Sequence, residues 1–362
     1  MDTILFVTHE CSGTGAPILF LSIIRHLVDE HDYSRVDILG LKPGEKIEEF
    51  SSLGNLFVCP SEWDIHDTAG NSLQKDYDYI YTNTVETAHV LPVLAECGAL
   101  GRRTRVISHV HELDGTIKKY GADRLSEFTR FSHAIICVSE AVRNNLLKYG
   151  LPEDRVHVVY PSVRPPRFVS PNKDDAVFTV LGCGEITVWK GIDVFIDTAR
   201  KALALNRDME FVWLGADNYK IREYFEEDIR RFGLEKEIRF LGYDDDISPY
   251  FRVADLFYLS SRQDSFPLVC LEAASIGLPS LYYPDAGGIR ELFGEDAGFP
   301  LPYLDTEYAA NLIIQLVKDR ERRRIVGEEA KRRFERLCSE SVMLSNIECI
   351  VSGDIDGRKP IS

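Results

Sequence analysis

No apolar run in this chain reaches the roughly 18–20 residues that a helix needs to cross a bilayer. The eight cysteines (Cys11, Cys59, Cys97, Cys137, Cys183, Cys270, Cys338 and Cys349) are widely spaced and form no C-x-x-C pair. That excludes a zinc ribbon and a disulfide scaffold. Several sit in apolar runs such as Ile135-Ile136-Cys137-Val138, so they read as buried free thiols of a reducing compartment. The start, Met-Asp-Thr-Ile-Leu-Phe-Val, shows no basic segment ahead of a long apolar stretch. No signal peptide is expected, and the expected location is the cytoplasm. Positive charge is in deficit: 42 Lys and Arg face 58 Asp and Glu, a net charge of −16. This argues against DNA or RNA as the main partner, since phosphate binding needs an excess of cations. Internal repeats and low-complexity tracts are also lacking.

What the chain does have is apolar sequence in short runs. Its 362 residues are 44% hydrophobic, which suits two domains that each bury a core. In the first half, strand-like runs fall at residues 4–7, 36–41, 79–82, 106–107, 134–138 and 156–160. In the second half they fall at 178–181, 210–214, 238–241, 256–259 and 280–283. Most are continuous Val, Ile, Leu, Phe or Tyr, as in parallel strands covered on both faces. Amphipathic helical segments lie between them, for example 16–28, 141–148 and the segment after Gly191. The pattern predicts two doubly wound α/β domains. Periodicity stops where Pro161, Pro165, Pro166 and Pro171 cluster, so the domain switch is placed near residues 163–175. In open α/β sheets ligands bind beyond the carboxyl ends of strands, so the turns after the strands carry the chemistry.

Five such turns stand out. His9-Glu10-Cys11-Ser12-Gly13-Thr14-Gly15-Ala16 precedes a helix and is small enough for close backbone approach, but it is neither a full G-x-G-x-x-G nor a P-loop. His109 and His111 lie on one face after a strand, with Glu112 the one neighbouring third ligand for a metal. No H-E-x-x-H spacing occurs, and a polar contact to a ligand is the better reading. Lys190 sits at the mouth of a βα loop just before Gly191, where it either neutralises a phosphate or is simply solvated. The segment from Ser260 to Pro279 carries Asp264 in a loop, Pro267 at a first helical turn, and Glu272 inside an otherwise apolar helix. A carboxylate there is costly without a partner, so hydroxyl donors are expected to meet it. The amides around Phe266, Pro267, Leu268 and Val269 offer an anion site. The last turn holds Gly287, Gly288, Arg290 and Glu291.

Together these residues resemble the family 4 glycosyltransferases, which are retaining enzymes of the two-domain GT-B fold. The likeness is strongest over residues 178–300, where Asp264-Ser-Phe-Pro-Leu-Val-Cys-Leu-Glu272-Ala keeps the spacing of the family's E-P-F-G-L-V-x-L-E-A segment. The resemblance implies two Rossmann-like domains facing each other across a cleft: residues 1–163 for the acceptor, 164–338 for a nucleotide sugar, and 339–362 as a helix crossing back, with a tail. It implies that Glu272 binds the ribose hydroxyls and that Asp264 contacts the transferred sugar. Lys190 would bind the diphosphate. Gly287, Gly288 and Glu291 would match the family's G-G-x-x-E, Gly15 and Ala16 the small loop under the donor, and His111 the histidine facing the sugar. The reaction would transfer a sugar, with retention, to a saccharide or lipid-linked acceptor in polysaccharide or glycoconjugate synthesis, with no cofactor and no metal.

Two positions depart from the family. Asp264 replaces a glutamate, and Glu185 stands where an arginine usually lies five residues before the lysine. Arg262 is the candidate replacement cation. Glu185 also keeps a non-catalytic sugar-nucleotide-binding protein as an alternative, beside a sugar-nucleotide epimerase of the same fold; a dinucleotide oxidoreductase lacks its fingerprint. Asp244-Asp245-Asp246 reads as a solvated helix start. Lys318–Arg336 carries nine basic residues against five acidic ones. It reads as a solvated helix, with a weak peripheral contact to anionic lipid at the inner face of a membrane as the second expectation.

Overall fold

The computed structural model describes residues 2–60, 64–121, 123–166 and 177–353. Most of the expected domain switch and the tail beyond residue 353 lie outside the described residues. The chain divides into two compact units: Met1–Pro161 with the C-terminal segment from Glu340, and Ser162–Ser339.

In the first unit, β1 (Thr3–Thr8), β2 (Arg35–Gly40), β3 (Asn55–Val58), β4 (Tyr79–Asn83), β5 (Arg105–Val110), β6 (Ala134–Cys137) and β7 (Val156–Val158) form one sheet in the order β3-β2-β1-β4-β5-β6-β7. Every neighbouring pair is parallel. The order reverses between β2-β1 and β4, so the carboxyl ends of β1 and β4 flank a switch point. The helix Gly15–Glu30 buries Leu19, Phe20, Ile23, Ile24 and Leu27 against this sheet. Met343, Ile347, Ile350 and Val351 of the last helix, Glu340–Ser352, join the same core. Arg105 Nη2 donates to Ile350 O at 3.0 Å and ties that helix down.

The second unit holds β8 (Phe178–Cys183), β9 (Met209–Leu214), β10 (Ile238–Gly242), β11 (Leu256–Tyr258), β12 (Ser280–Tyr282) and β13 (Phe299–Pro300), in the order β10-β9-β8-β11-β12-β13, again all parallel. Its switch point lies between β8 and β11. The helix Ile192–Leu205 buries Ile192, Phe195, Ile196, Ala199 and Leu203, the face its spacing predicts. Phe195 meets Trp213 edge-on at 5.1 Å and Phe211 at 5.7 Å. Emptying that site with Phe195→Ala would cost about 3–5 kcal/mol.

Two strands escaped the sequence reading, β3 and β13. Both are short sheet edges, and β13 contains Pro300, which cannot donate to a ladder. All eight cysteines are free thiols, and five are buried. Among the described residues, no helix is long and apolar enough to cross a membrane.

Candidate functional site

In the second unit the site is built at the carboxyl ends of β8 and β11. The loop between β8 and its helix is fixed at both ends. Gly184 N donates to Leu214 O and Ile186 N to Ala216 O, while Trp213 Nε1 donates to Gly184 O at 2.9 Å. At the far end Ser260 Oγ donates to Lys190 O at 3.0 Å, and Arg262 N donates to Trp189 O at 2.8 Å. Gly191 takes φ +73, and a Cβ there would lie 1.9 Å from Ser260 O, so only glycine lets the loop press against the exit of β11.

This stitching brings Lys190 to Asp264, with Nζ 2.6 Å from Oδ2. Desolvation works against the Lys190 ammonium, but the Asp264 carboxylate outweighs it and raises the Lys190 pKa. Asp264 is itself held by a short parallel bridge to Gly287: Asp264 N donates to Ala286 O at 2.7 Å and Gly288 N to Ser265 O at 3.1 Å. Gly287 has φ +149, which a side chain would disfavour. The Gly287-Gly288 pair thus orders the Asp264 loop, and the Gly288 amide is already used there. Glu291 follows on the short helix Ile289–Phe293, and its charge helps raise the Cys338 thiol.

Glu272 lies on the second turn of the helix Leu268–Ser275. Its carboxylate has no hydrogen-bond or ion-pair partner among the described residues, and burial pushes it up to about 8. Cys270 feels the charges of Asp264, Lys190 and Glu272 together, so these side chains share one locality. Burial and the Glu272 charge also raise Cys183 to about 12. The sequence reading put Pro267 inside the first turn. Instead Pro267, at φ −68 and ψ 116, is the residue before it, and no side chain caps the helix that Leu268 and Val269 begin. Phe266 is buried beneath.

Arg262 is placed differently from the expectation. Its guanidinium holds Asp193 with both arms, at 2.8 and 2.7 Å, and donates to Val188 O at 2.6 Å. The fork therefore braces the 188–193 turn, because the partner acid stands two residues beyond Gly191. No local sequence signal pairs residues 69 apart. Glu185 accepts from Asn218 Nδ2 at 2.7 Å, a neutral partner. The three aspartates at 244–246 make turn bonds into the helix Ser248–Val253: Asp246 N donates to Asp244 Oδ1 and Ser248 N to Asp246 Oδ1, each at 3.0 Å.

In the first unit the corresponding turns carry a second cluster. Asn83, fully buried at the end of β4, donates from Nδ2 to Ala16 O at 3.2 Å. That orients its amide, so Oδ1 faces His111 Nε2 at 2.7 Å and the imidazole must donate there. The His109 and His111 rings stack at 4.4 Å. Burial, with the nearby His109 and His9, lowers the His111 pKa well below its ordinary value, and burial takes His109 down to about 3. Both rings are neutral at physiological pH. Glu112 anchors the turn by accepting from Val85 N at 3.1 Å and His111 N at 2.9 Å. Burial still pushes its carboxyl up to about 7. Thr84 takes φ +80, a strained value for a β-branched residue, and its N donates to His109 O at 2.7 Å.

The first loop is more closed than the sequence suggests. Gly13 N donates to Glu45 Oε1 at 2.6 Å, and Glu10 accepts from Ser12 Oγ and Thr14 Oγ1. His9 and these hydroxyls hold Glu10 down to about 2. Gly15 opens the helix beyond them. Sequence reading misses the link from Asn83 to His111, since β4 and β5 become neighbours only in the sheet.

Two all-parallel doubly wound units, with an acid–lysine pair beyond the strands of one and a fixed histidine in the other, define a GT-B glycosyltransferase fold. The structure of HepE from Anabaena in complex with UDP and glucose superposes with a TM-score of 0.82 at 20% identity, covering 97% of this chain and all of that one. The group 1 glycosyl transferase model matches residues 164–333, and the glycosyltransferase family 4 model matches residues 46–167. The chain belongs to this glycosyltransferase family. N-acetyl-alpha-D-glucosaminyl L-malate synthase of Bacillus anthracis is 34% identical over 117 residues, 32% of this chain and 30% of that protein. Mannosylfructose-phosphate synthase of Agrobacterium fabrum is 29% identical over 200 residues, 49% of this chain and 43% of that one. The chain spans less than half the length of these curated relatives.

Proposed function

We propose that the protein transfers a sugar from a nucleotide-diphosphate sugar to a saccharide or lipid-linked acceptor, with retention of configuration and without a metal or cofactor. The observation that carries this reading is the Lys190–Asp264 pair, beside a half-buried Glu272 carboxylate that has no hydrogen-bond or ion-pair partner among the described residues. A diphosphate draws Lys190 away from Asp264, which frees Asp264 to accept from sugar hydroxyls. Glu272 accepts from the ribose hydroxyls and thereby gains the partners it lacks. The uncapped amides at Leu268 and Val269 add a positive helix end for the phosphates. As the glycosidic C–O bond breaks, its electrons pass to the diphosphate, whose growing charge Lys190 and these amides stabilise. The leaving phosphate oxygen takes the acceptor's proton as the acceptor oxygen bonds the anomeric carbon on the same face. In the first unit His111 is held through Nε2 by Asn83 Oδ1, and the role proposed for it is a contact to the transferred sugar.

The printed names of the relatives support a synthase acting on a sugar, and the UDP and glucose bound to HepE support a nucleoside diphosphate at such a site. Polysaccharide or glycoconjugate synthesis, in the cytoplasm or at the inner face of a membrane, is the setting this reading implies. The test is incubation with a panel of nucleotide-diphosphate sugars and mixed acceptors, followed by mass spectrometry of the products. Transfer or slow donor hydrolysis, with release of the nucleoside diphosphate, is expected. Tight nucleotide binding without any turnover would overturn the enzyme reading in favour of a sensor.

A further inference from the structure

His111 has a second tether, which acts on its main chain and is independent of Asn83. Glu112 Oε2 accepts from His111 N at 2.9 Å and from Val85 N at 3.1 Å. Val85 opens the turn Val85–His89 directly after β4, and His111 follows β5. One carboxylate oxygen therefore ties together the exits of two neighbouring strands, the ones that deliver Asn83 and His111. The amides of Val85, His111 and Glu112 itself all favour the charged carboxylate.

The turn that Glu112 holds is strained. Thr84, between Asn83 and Val85, takes φ +80, and its Oγ1 is buried without a hydrogen-bond partner among the described residues. Thr84 N donates to His109 O at 2.7 Å, and Thr87 Oγ1 donates to Thr84 O at 2.8 Å. The bond from Val85 N to Glu112 completes this set. A β-branched residue keeps such a conformation only where its surroundings overdetermine it, and strain of this kind gathers at working sites.

The ionisable groups around Glu112 come from four elements. His9 and Glu10 follow β1, with His9 Nε2 3.6 Å from Glu10 Oε1. His109 and His111 belong to β5 and its exit. Tyr120 ends the helix Asp114–Tyr120, with Lys119 and Arg124 each 5.3 Å from the centre of its ring. Glu86, in the turn after β4, accepts from Tyr120 and lies 3.3 Å from Lys42 Nζ. Burial takes His109 down to about 3 and His111 well below its ordinary value, while the His9 bond helps hold Glu10 at about 2. None of these three changes charge between about pH 6 and 8. Tyr120 is raised by burial and then by Glu86. For Glu112, burial outweighs the amides and the His9 charge and pushes the carboxyl up to about 7.

We propose that Glu112 is a positioning residue for sugar transfer: its carboxylate clamps the strained turn at Thr84 to the main chain of His111 and so sets where that imidazole stands. The inference rests on the contact proposed between His111 and the transferred sugar. Burial makes the ionised form the costlier one for the fold, yet it is the form that grips both amides most strongly. Protonation replaces two charge-assisted bonds by weaker neutral ones, so the clamp loosens as pH falls through about 7.

The test measures turnover at saturating nucleotide sugar from about pH 5.5 to 8.5, together with nucleoside-diphosphate affinity by calorimetry. Glu112→Gln keeps an oxygen acceptor of the same reach that does not titrate, and Glu112→Ala removes it. Wild-type turnover is expected to fall about fivefold on the acid side of neutrality. Glu112→Gln should be flat with pH, near the wild-type acid level, and Glu112→Ala at least about tenfold lower still. Nucleoside-diphosphate affinity should stay within about twofold in both, since Lys190, Asp264 and Glu272 are untouched. His9→Asn should keep the acid limb and move its midpoint up, because the His9 charge lowers the Glu112 pKa. An unchanged limb in Glu112→Gln, a Gln variant no better than the Ala variant, or a loss of affinity equal to the loss of turnover overturns the inference and leaves the transfer reading standing. A wild type that neither transfers nor hydrolyses any donor overturns that reading, and this inference with it.

Discussion

His111 Nε2 donates to Asn83 Oδ1 at 2.7 Å, and the other end of the same amide donates to Ala16 O at 3.2 Å. One buried side chain therefore fixes the tautomer of the histidine and the start of the first helix together. Asn83→Leu removes the acceptor and frees the imidazole. We expect turnover to fall about tenfold to a hundredfold through misplacement, with nucleotide affinity almost unchanged. Asn83→Asp keeps an acceptor for His111 and should recover part of the rate while raising the histidine pKa, visible as a shifted acid limb of the pH–rate profile. Equal losses in both variants would point to a merely structural amide.

Lys190 and Asp264 compete for the same neutralisation that an incoming diphosphate needs. Lys190→Ala should weaken nucleoside-diphosphate binding by about 1.5–3 kcal/mol, roughly 10- to 150-fold. Asp264→Asn should leave that affinity equal or tighter, because it releases the ammonium, and yet lower turnover. Calorimetry with the nucleoside diphosphate alone, beside steady-state rates, separates the two. If Asp264→Asn lost affinity as Lys190→Ala does, the pair would be structural.

Glu272 has its pKa raised from 4.5 to about 8 by burial. A raised carboxyl favours the folded state in its protonated form. The destabilisation from ionising it is absent below the unfolded value of 4.5, grows as pH rises, and is complete above about 8. Glu272→Gln should therefore match the wild type in Tm near pH 5 and exceed it near pH 9. Each 1 kcal/mol is worth about 2–4 °C in a domain of this size. The same variant should bind nucleotide poorly at every pH, since it no longer offers a carboxylate to ribose. A Tm difference that is independent of pH would show that Glu272 is already ionised in the free protein.

Glu185 accepts from Asn218, a partner that gives up little if the acid is removed. Glu185→Arg replaces an anion by the cation that the family resemblance implies at this spacing. It should tighten nucleoside-diphosphate binding by about two- to fivefold, a value suited to a half-exposed position. Unchanged affinity in a folded variant would place residue 185 away from the diphosphate.

Much of the fold was legible because it is written in local pattern. Continuous apolar runs marked 11 of the 13 strands among the described residues, and the 3.6-residue period marked the helices that cover them. The spacing from Asp264 to Glu272 and the lysine before Gly191 marked the candidate site segments for the same reason: each lies on one turn and one helix. The Arg262–Asp193 pair, the Asn83–His111 bond and the Glu45 carboxylate on the Gly13 amide were not legible. They join residues 69, 28 and 32 positions apart, and nothing in either partner's neighbourhood encodes the other.

The sequence by itself determined two parallel α/β units, the strand ends where chemistry gathers, and the acids and lysine that face them. Strand order decided the rest. Because β4 and β5 are neighbours, Asn83 reaches His111. Because β11 leaves the sheet beside β8, Ser260 and Arg262 grip the loop that carries Lys190. Residue type and spacing set which groups are available; only the packing of distant strands fixes which donor meets which acceptor, and so which charges remain for a ligand.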